Sequence, residues 1–583
     1  NLKPDYLLIV GSTEIIPNYS ASSFITDLYY GEYDGGDDYI PDVLIGRIPA
    51  SNAKEVVDVT SKIIQYEKME FPDNGTYLRD ALVFAGVDAT YEDFMNGHIN
   101  YAINNYLTDE NNISEHHSYV GESQRDSILK IINDGVSFVN YTGHGNPNAW
   151  LNVNISSRDT SVLLNNNRYP VIISNACQTS KFNVGSLGNS MVLAKQKGAV
   201  AFIGSSHDTY WSEDFFWAVG TGTPGLNPTY ENTGRGAYDR LFHTHNEPPT
   251  EWYRSLGQIL YSGNLSVSSS SSTRKKRYWE IYNIVGDPSL IPYIGEPKTI
   301  NVSIPDTLPN NISTLSLRGE PFAYVAISHN DTLLAASHFN QAGIATLSLP
   351  DIANDSCLVV VTGQNIRPII KDIYIGVSNS EYVSLSSYSF SEMDGDYDQL
   401  LEHGETISVN VNIENIGNKN TSNLRAYLRS SSEWVSIIDS THYIGSLTAQ
   451  DSIFISDCFT FKIADSIPDN YIVHFEIVLK DDYDEKHYGI EAKIQAPILA
   501  ITNCRIDDSI LGNNNNIIES GESFEIIYTV TNTGSEPTTV SLIATCDNPA
   551  INIQGIAPFS LEDSSTQIIR LRISQNGTLS LGT

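Results

Sequence analysis

Two short apolar runs constrain this chain more than anything else in it. SFVNYTGHG carries His144 between Gly143 and Gly145, and YPVIISNAC ends on Cys177, 33 residues later (177 − 144). Both runs are β-branched and bounded by Gly, Asn and Pro, the pattern of strands buried in a parallel sheet. Open parallel sheets bind ligands just beyond the carboxyl ends of their strands, where both residues fall. A thiol beside an imidazole at such an edge supplies a nucleophile and a proton carrier. Taken singly, a Cys after IIS reads as a small core residue and a His among glycines as a turn residue. The glycines favour the paired reading. Gly145 has no side chain, so its N–H can approach a substrate carbonyl. With the N–H of Cys177 it would form an oxyanion hole. The pair reads as a cysteine peptidase site.

Four phrases in order, YIPDVLIGRIPA, NYTGHG, SNAC and YNIVGDPSLIPYIG, resemble the gingipains, secreted bacterial cysteine endopeptidases of the caspase-like clan (peptidase family C25). The resemblance spans roughly the first half of the chain. It implies that Cys177 is the nucleophile and His144 the general acid/base, which protonates the leaving amine without pairing tightly with the thiol beforehand. The run ALVFAGVDATYEDF ends a further strand at Asp88. In lysine-cleaving gingipains an acidic residue here contacts the catalytic His, so the resemblance implies an orienting role for Asp88. The residues alone read equally well as an Asp capping the next helix.

After Cys177 come a helix, GSLGNSMVLAKQKGAV, a strand, AVAFIGSS, and a loop, SSHDTYWSEDFFW. That loop should reach the same sheet edge. A buried carboxylate in a pocket selects a cationic side chain, and an aromatic wall holds its aliphatic stem. The W-x-x-D spacing resembles the S1 site of the lysine-specific gingipain. The resemblance implies cleavage after Lys with Arg a weaker substrate, Asp214 as selector and Trp211 as wall. Thr142, just before the His144 turn, is expected beside them in substrate binding. The plainer reading is a helix start with Ser212 as cap and Glu213 and Asp214 on its first turn.

At 583 residues the chain exceeds one core and implies three to five domains. Its net charge is −35, from 34 basic and 69 acidic residues, which argues against nucleic acid as a partner. No apolar run reaches the length of a membrane span. Asn1 follows no signal peptide, and both ends read as cuts within a longer chain. The four cations Arg274, Lys275, Lys276 and Arg277, after a serine-rich run, read as an exposed loop.

Character changes near Pro297. Before it, strands alternate with helical stretches such as NAKEVVDVTSKIIQYEKM, where Val56, Val59, Ile63 and Tyr66 recur at helical spacing. That alternation predicts a parallel α/β sheet with helices on its faces. After it, short strands such as ISTLSL, FAYVAIS and CLVVVTG predict β-sandwiches. Gingipains carry an immunoglobulin-like module at this point. Further on, LLEHGETISVNVNIENIGN and IIESGESFEIIYTVTNTGS align without gaps. Glu402, Gly404, Glu405, Asn415 and Gly417 match Glu519, Gly521, Glu522, Asn532 and Gly534, 117 residues on (519 − 402). This is one β-domain repeated. The division expected is a catalytic domain over 1–296, lacking its N-terminal part, an immunoglobulin-like sandwich over 297–383, and β-sandwich repeats over 384–497 and 498–583, the second truncated.

The loop TDLYYGEYDGGDDYIPD gathers Asp27, Glu32, Asp34, Asp37, Asp38 and Asp42, with Glu14 upstream. Hard cations need such oxygen clusters, and gingipains bind structural calcium in this domain. Calcium on Asp27, Glu32, Asp34, Asp37 and Asp38 is therefore expected, with no organic cofactor. A second acidic loop, around Asp394, Asp396 and Asp398, reads first as a solvated turn. Cys504 and Cys546 share a module, but a disulfide between them is not expected. Expected partners are protein or peptide substrates with a basic P1 residue, and a cell-surface component for the β modules. Expected location is outside the cell or on a bacterial surface. Two other functions stay open: a sortase-like transpeptidase of the same family, and an adhesin whose peptidase domain is inactive.

Overall fold

The computed structural model describes residues 4–21, 24–35, 38–120, 124–182, 185–352, 354–377, 380–515, 517–519 and 521–575. They form two compact units: Asn1–Ile300 with Val361–Ile369, and Asn301–Val360 with Ile370–Thr583. The segment Val361–Ile369, expected within the first β module, groups with the first unit instead.

The first unit is built on an eight-stranded sheet. Its strands are β1 (Tyr6–Val10), β2 (Leu44–Ile48), β3 (Asp80–Ala85), β4 (Glu115–Val120), β5 (Phe138–Thr142), β6 (Val171–Asn175), β7 (Ala201–Ser205) and β8 (Tyr282–Val285). Their spatial order is β1-β2-β8-β7-β6-β5-β3-β4. From β7 to β4 all neighbours are parallel. So are β1, β2 and β8. The two blocks meet at an antiparallel β7–β8 pair. The expected parallel sheet is thus parallel within each block and reversed once. Several helices, Trp211–Ala218 and Leu256–Ser269 among them, separate β7 from β8. The single right-handed crossover that would force a parallel pair is therefore absent from this connection.

Strands β5, β6 and β7 are buried at every position. That is the state of strands covered by helices on both faces, and it explains their continuous apolar runs. The helix Ala53–Glu67 buries Val59, Ile63 and Tyr66, as its periodicity predicts, and Asn52 caps it through the N–H of Glu55. It also buries Lys62, whose ammonium donates to the carbonyls of Val192, Lys197 and Ala199 at 2.6, 3.2 and 3.0 Å. Helix Leu187–Leu193 ends there, and a cation satisfies carbonyls that a helix end leaves unpaired.

Among its described residues the second unit contains strands and no helix. It pairs a five-stranded with a two-stranded sheet, then two four-stranded sheets, then a four-stranded with a two-stranded sheet. In the middle pair, residues of both sheets close one core, with Val409, Phe461, Phe475 and Ile477 wholly buried. The repeat has a physical basis. Asn415 Oδ1 accepts the N–H groups of Tyr382 and Gly417, and its Nδ2 donates to the Lys419 and Leu447 carbonyls. Asn532 Oδ1 accepts those of Ile498 and Gly534, and its Nδ2 donates to the Glu536 and Glu562 carbonyls. A Cβ on either glycine would strike backbone, 2.3 Å from the Ser380 oxygen at Gly417 and 2.3 Å from the Ala496 oxygen at Gly534. The N-x-G element recurs because it locks the same turn twice. All five cysteines are free thiols.

Candidate active site

The parallel strands β3, β5, β6 and β7 end at one edge of the sheet, and each delivers a piece of the site. Strand β6 leads to Cys177, which is half-buried. Its Sγ lies 3.8 Å from Thr209 Oγ1 and 3.9 Å from the Thr209 carbonyl, on the loop after β7. Burial pushes the thiol up, and the charges of Asp214 and Asp208 act in the same direction against the Thr209 contacts. The resting group is a thiol.

Strand β5 leads to His144. Its main-chain N–H donates to Asn152 Oδ1 at 3.1 Å, and its Nε2 lies 3.1 Å from Asp88 Oδ2. The other oxygen of Asp88 accepts the N–H groups of Thr90 and Tyr91 at 2.8 and 3.0 Å. Those N–H groups, with His144 adding to them, hold the Asp88 carboxyl below its ordinary value. Asp88 thus faces His144 and closes the turn at Thr90 and Tyr91, but it does not cap the next helix, Glu92–Asn105, whose N-cap is Tyr91. With Nε2 turned to Asp88, Nδ1 is the imidazole nitrogen left for chemistry.

Gly145 sits against the Cys177 segment: a Cβ there would lie 2.7 Å from the Cys177 carbonyl oxygen and 3.0 Å from Ala176 Cβ. Only glycine permits this approach of the two segments. Thr142 departs from expectation. It is 2% exposed, and the sheet register places it between Ala85 and Asn175. Pairing on both sides keeps it inside the sheet instead of on an open pocket wall.

The loop after β7 holds Trp211 and Asp214. Trp211 packs edge-on against the His144 ring, centroids 5.0 Å apart, and stacks on Tyr91 at 5.8 Å. A helix, Trp211–Ala218, does begin here, but its N-cap is Tyr210, not Ser212. Asp214 is 3% exposed, and its Oδ1 receives the hydroxyls of Tyr282 at 2.7 Å and Tyr278 at 2.9 Å. Burial pushes it up to about 7, against the pull of the Tyr282, Thr209 and Tyr278 hydroxyls. Thr209 thus touches both the thiol and this carboxyl. Glu213 pairs with Arg274 at 3.0 Å and accepts the Ser272 hydroxyl at 2.6 Å.

The cationic run at 274–277 is not a free loop. Arg274 and Arg277 lie over the Tyr210 ring at 3.9 and 5.3 Å, and Arg277 Nη2 donates to His207 Nδ1 at 2.7 Å. Lys275–Ile281 is a helix. The run braces the loop that carries Trp211.

Several site residues escaped sequence reasoning. Asn152 ties the His144 turn to the Asp88 turn, since its Nδ2 also donates to the Val87 carbonyl at 3.0 Å. Its only signal is an Asn among apolar neighbours in WLNVN. Tyr278 follows the cationic run, and Tyr282 opens YNIVGDPSLIPYIG, a phrase that carries the resemblance but no sign of a contact with Asp214. Beside His144 a cleft of about 830 Å³ continues between Arg125, Asp126, Leu151 and Asn154.

Several described carboxylates of the acidic loop have protein partners of their own. Asp27 is buried and gives both oxygens to Arg47, at 2.6 and 2.7 Å. Asp38 Oδ1 accepts the N–H groups of Tyr39 and Ile40. Burial and the charges of Asp38 and Asp34 push Glu32 up. Asp37 lies outside the described residues. Groups of three ligand atoms within 4.8 Å occur elsewhere, at Asp80, Glu115 and His117, and around Asp396 with Glu392 and Asp398 or with Glu402 and Glu405. Among the described residues no helix is long and apolar enough to cross a membrane.

Comparison with known proteins agrees with this geometry. The chain is 33% identical over 387 residues to Lys-gingipain HG66 of Porphyromonas gingivalis, covering 64% of this chain and 22% of that protein. Gingipain R1 of the same species is 24% identical over 395 residues, covering 66% and 37%. The chain therefore spans well under half the length of these curated relatives. A solved protease structure is 32% identical with a TM-score of 0.59, covering 63% of this chain and 82% of that one. The Arg-specific gingipain R shares the fold at 23% identity and a TM-score of 0.56, covering 64% and 83%. The family model of peptidase family C25 matches residues 1–293, and the chain belongs to that family.

Proposed function

We propose that the chain is a secreted cysteine endopeptidase that hydrolyses peptide bonds after basic residues, with Lys preferred to Arg. Asp214 carries this reading: it is a wholly buried carboxylate that shares Thr209 with the thiol of Cys177. Buried next to the nucleophile and with no ion pair among the described residues, it disfavours an apolar P1 side chain and rewards a cationic one. Two hydroxyls already occupy its Oδ1, so it cannot present both oxygens to a guanidinium fork; a compact ammonium needs only one. Trp211 offers a flat wall for the stem of that side chain. The relative at 33% identity is a Lys-gingipain, which supports the same preference.

In this reading the Cys177 sulfur attacks the scissile carbonyl as its proton passes to His144 Nδ1. Asp88 accepts a hydrogen bond from the Nε2–H and so fixes the tautomer. The N–H groups of Gly145 and Cys177 receive the oxyanion. His144 then protonates the leaving amine, and water releases the acyl group from the sulfur. The β modules, read as immunoglobulin-like, would serve spacing or attachment at a cell surface. Lysyl and arginyl fluorogenic peptides on wild type and Asp214→Ala test the proposal. The expected loss of kcat/KM for the lysyl peptide is about 10²–10³-fold, the effect of removing one partner of a buried charge pair. Equal lysyl turnover by both proteins would overturn it.

A further inference from the structure

A line of buried hydrogen bonds crosses the sheet beneath the site and ends on Asp214. It starts at His98, in helix Glu92–Asn105, which is 1% exposed and places Nε2 2.9 Å from Asn140 Oδ1. Asn140, in the middle of β5, turns its Nδ2 to the Ile173 carbonyl and to Asn175 Oδ1, each at 3.0 Å. Asn175, the last residue of β6, gives its Nδ2 to Tyr282 Oη at 3.0 Å. Tyr282 gives its hydroxyl to Asp214 Oδ1.

Every bond in this line has one possible direction. A backbone carbonyl only accepts, so the amide of Asn140 must face Ile173 with Nδ2 and His98 with Oδ1. His98 must then donate from Nε2, as must the Tyr238 hydroxyl, 2.5 Å from the same oxygen. Burial keeps the ring neutral by pushing it down to about 4, so its single proton is on Nε2. Asn175 inherits its orientation from Asn140, and Tyr282, already accepting from Asn175, has its one proton left for Asp214. Head-to-tail bonds polarise one another, and the strengthened dipole ends on the carboxylate.

The other groups facing Asp214 do not do this work. Glu213 and Cys177 would both oppose its ionisation when charged, and Arg274 is spent on Glu213. Thr209 and Tyr278 donate locally, and Tyr278 shares its hydroxyl with the Tyr210 carbonyl at 3.1 Å.

We propose that His98, Asn140 and Asn175 are positioning residues for P1 selection: their directed chain fixes the Tyr282 proton on Asp214 and keeps that carboxylate anionic where a cationic P1 side chain must be recognised. The proposal rests on Asp214 as the selector. The test is the pH profile of kcat/KM for lysyl and norleucyl peptides, with each protein normalised to its titratable Cys177 thiol. In Asn175→Ala the acid limb of the lysyl profile moves up by about one pH unit, a tenfold loss on that limb that is recovered in alkali, while the norleucyl profile stays. His98→Leu moves the limb less, and His98→Gln, which keeps an N–H within reach of Asn140, restores it. An unmoved lysyl limb in Asn175→Ala, or an equal shift for norleucine, overturns the proposal and leaves the selector intact. Undiminished lysyl cleavage by Asp214→Asn would remove the selector itself and with it this inference.

Discussion

Asp214 in the first unit and Glu405 in the second are both buried carboxyls pushed up to about 7, and their surroundings differ. Asp214 has burial and, to a lesser degree, the charge of Glu213 against it, and three hydroxyls for it. Glu405 has burial, Glu392, Asp396 and Asp398 against it, with the N–H of Glu402 in its favour. In the proposed function the first carboxyl is held ready for a charge that arrives from outside. The second sits in a crowd of its own sign, within a turn that its repeat partner also builds. Burial of an acid is therefore no mark of function by itself; the directions of the hydrogen bonds around it tell the two cases apart.

If chemistry belongs to the first unit alone, the largest effect follows from its one half-buried thiol. Cys177→Ala should lower peptide hydrolysis by about 10⁴–10⁶-fold, the scale of losing a covalent nucleophile. Cys504→Ser, at an exposed thiol in the second unit, should leave the rate unchanged. Progress curves on one fluorogenic peptide compare them. Activity surviving in Cys177→Ala, or lost in Cys504→Ser, breaks the division of labour.

The same contrast explains what the sequence could show. Strand ends are legible, because β5 and β6 are buried on both faces and so appear as unbroken apolar runs that stop at His144 and Cys177. The 117-residue repeat is legible for the same kind of reason: one Asn and one Gly have to recur for the turn to close. Side-chain direction is not legible. Nothing in FVNYT says that Asn140 points at His98 and Asn175, since those partners lie 42 and 35 residues away. The bracing of Tyr210 by Arg274 and Arg277 spans a wider gap still, so a run of four cations reads as solvent-exposed until the loop it supports is placed. The reversal at β8 and the engagement of Asp27 by Arg47 also depend on tertiary partners that no local pattern records.

A smaller effect sharpens the catalytic side. Asp88 has two duties, and Asp88→Asn separates them. An Asn side chain still accepts the N–H groups of Thr90 and Tyr91, so the turn should survive. It supplies no charge to His144 and does not fix which nitrogen carries the proton. Turnover should fall about 10²-fold, in the range of a lost acid–base contribution, with KM little changed. Wild-type kcat would reduce Asp88 to a turn residue.

The smallest effect tests the other carboxyl of the comparison. Burial and neighbouring acids push both Glu402 and Glu405 up to about 7 in the folded chain. Between the ordinary Glu value, about 4.3, and 7 the folded state holds protons that the unfolded chain has released. Their stabilising protonation is complete below that window and is lost as pH rises through 7, so stability falls with rising pH. Cys458, wholly buried in the same module, reports its opening when peptide-level mass spectrometry follows alkylation during a thermal ramp in EDTA. The midpoint for Cys458 should drop by roughly 2–4 °C from pH 5 to pH 8, the scale of 1 kcal/mol in a domain of this size. Glu405→Gln keeps an acceptor for the Glu402 N–H and removes the titration, so its midpoint should change less over the same range. A midpoint that rises with pH in wild type, or an undiminished drop in Glu405→Gln, would show that the crowding of like charges does not govern this carboxyl, and the contrast with Asp214 would lose its physical basis.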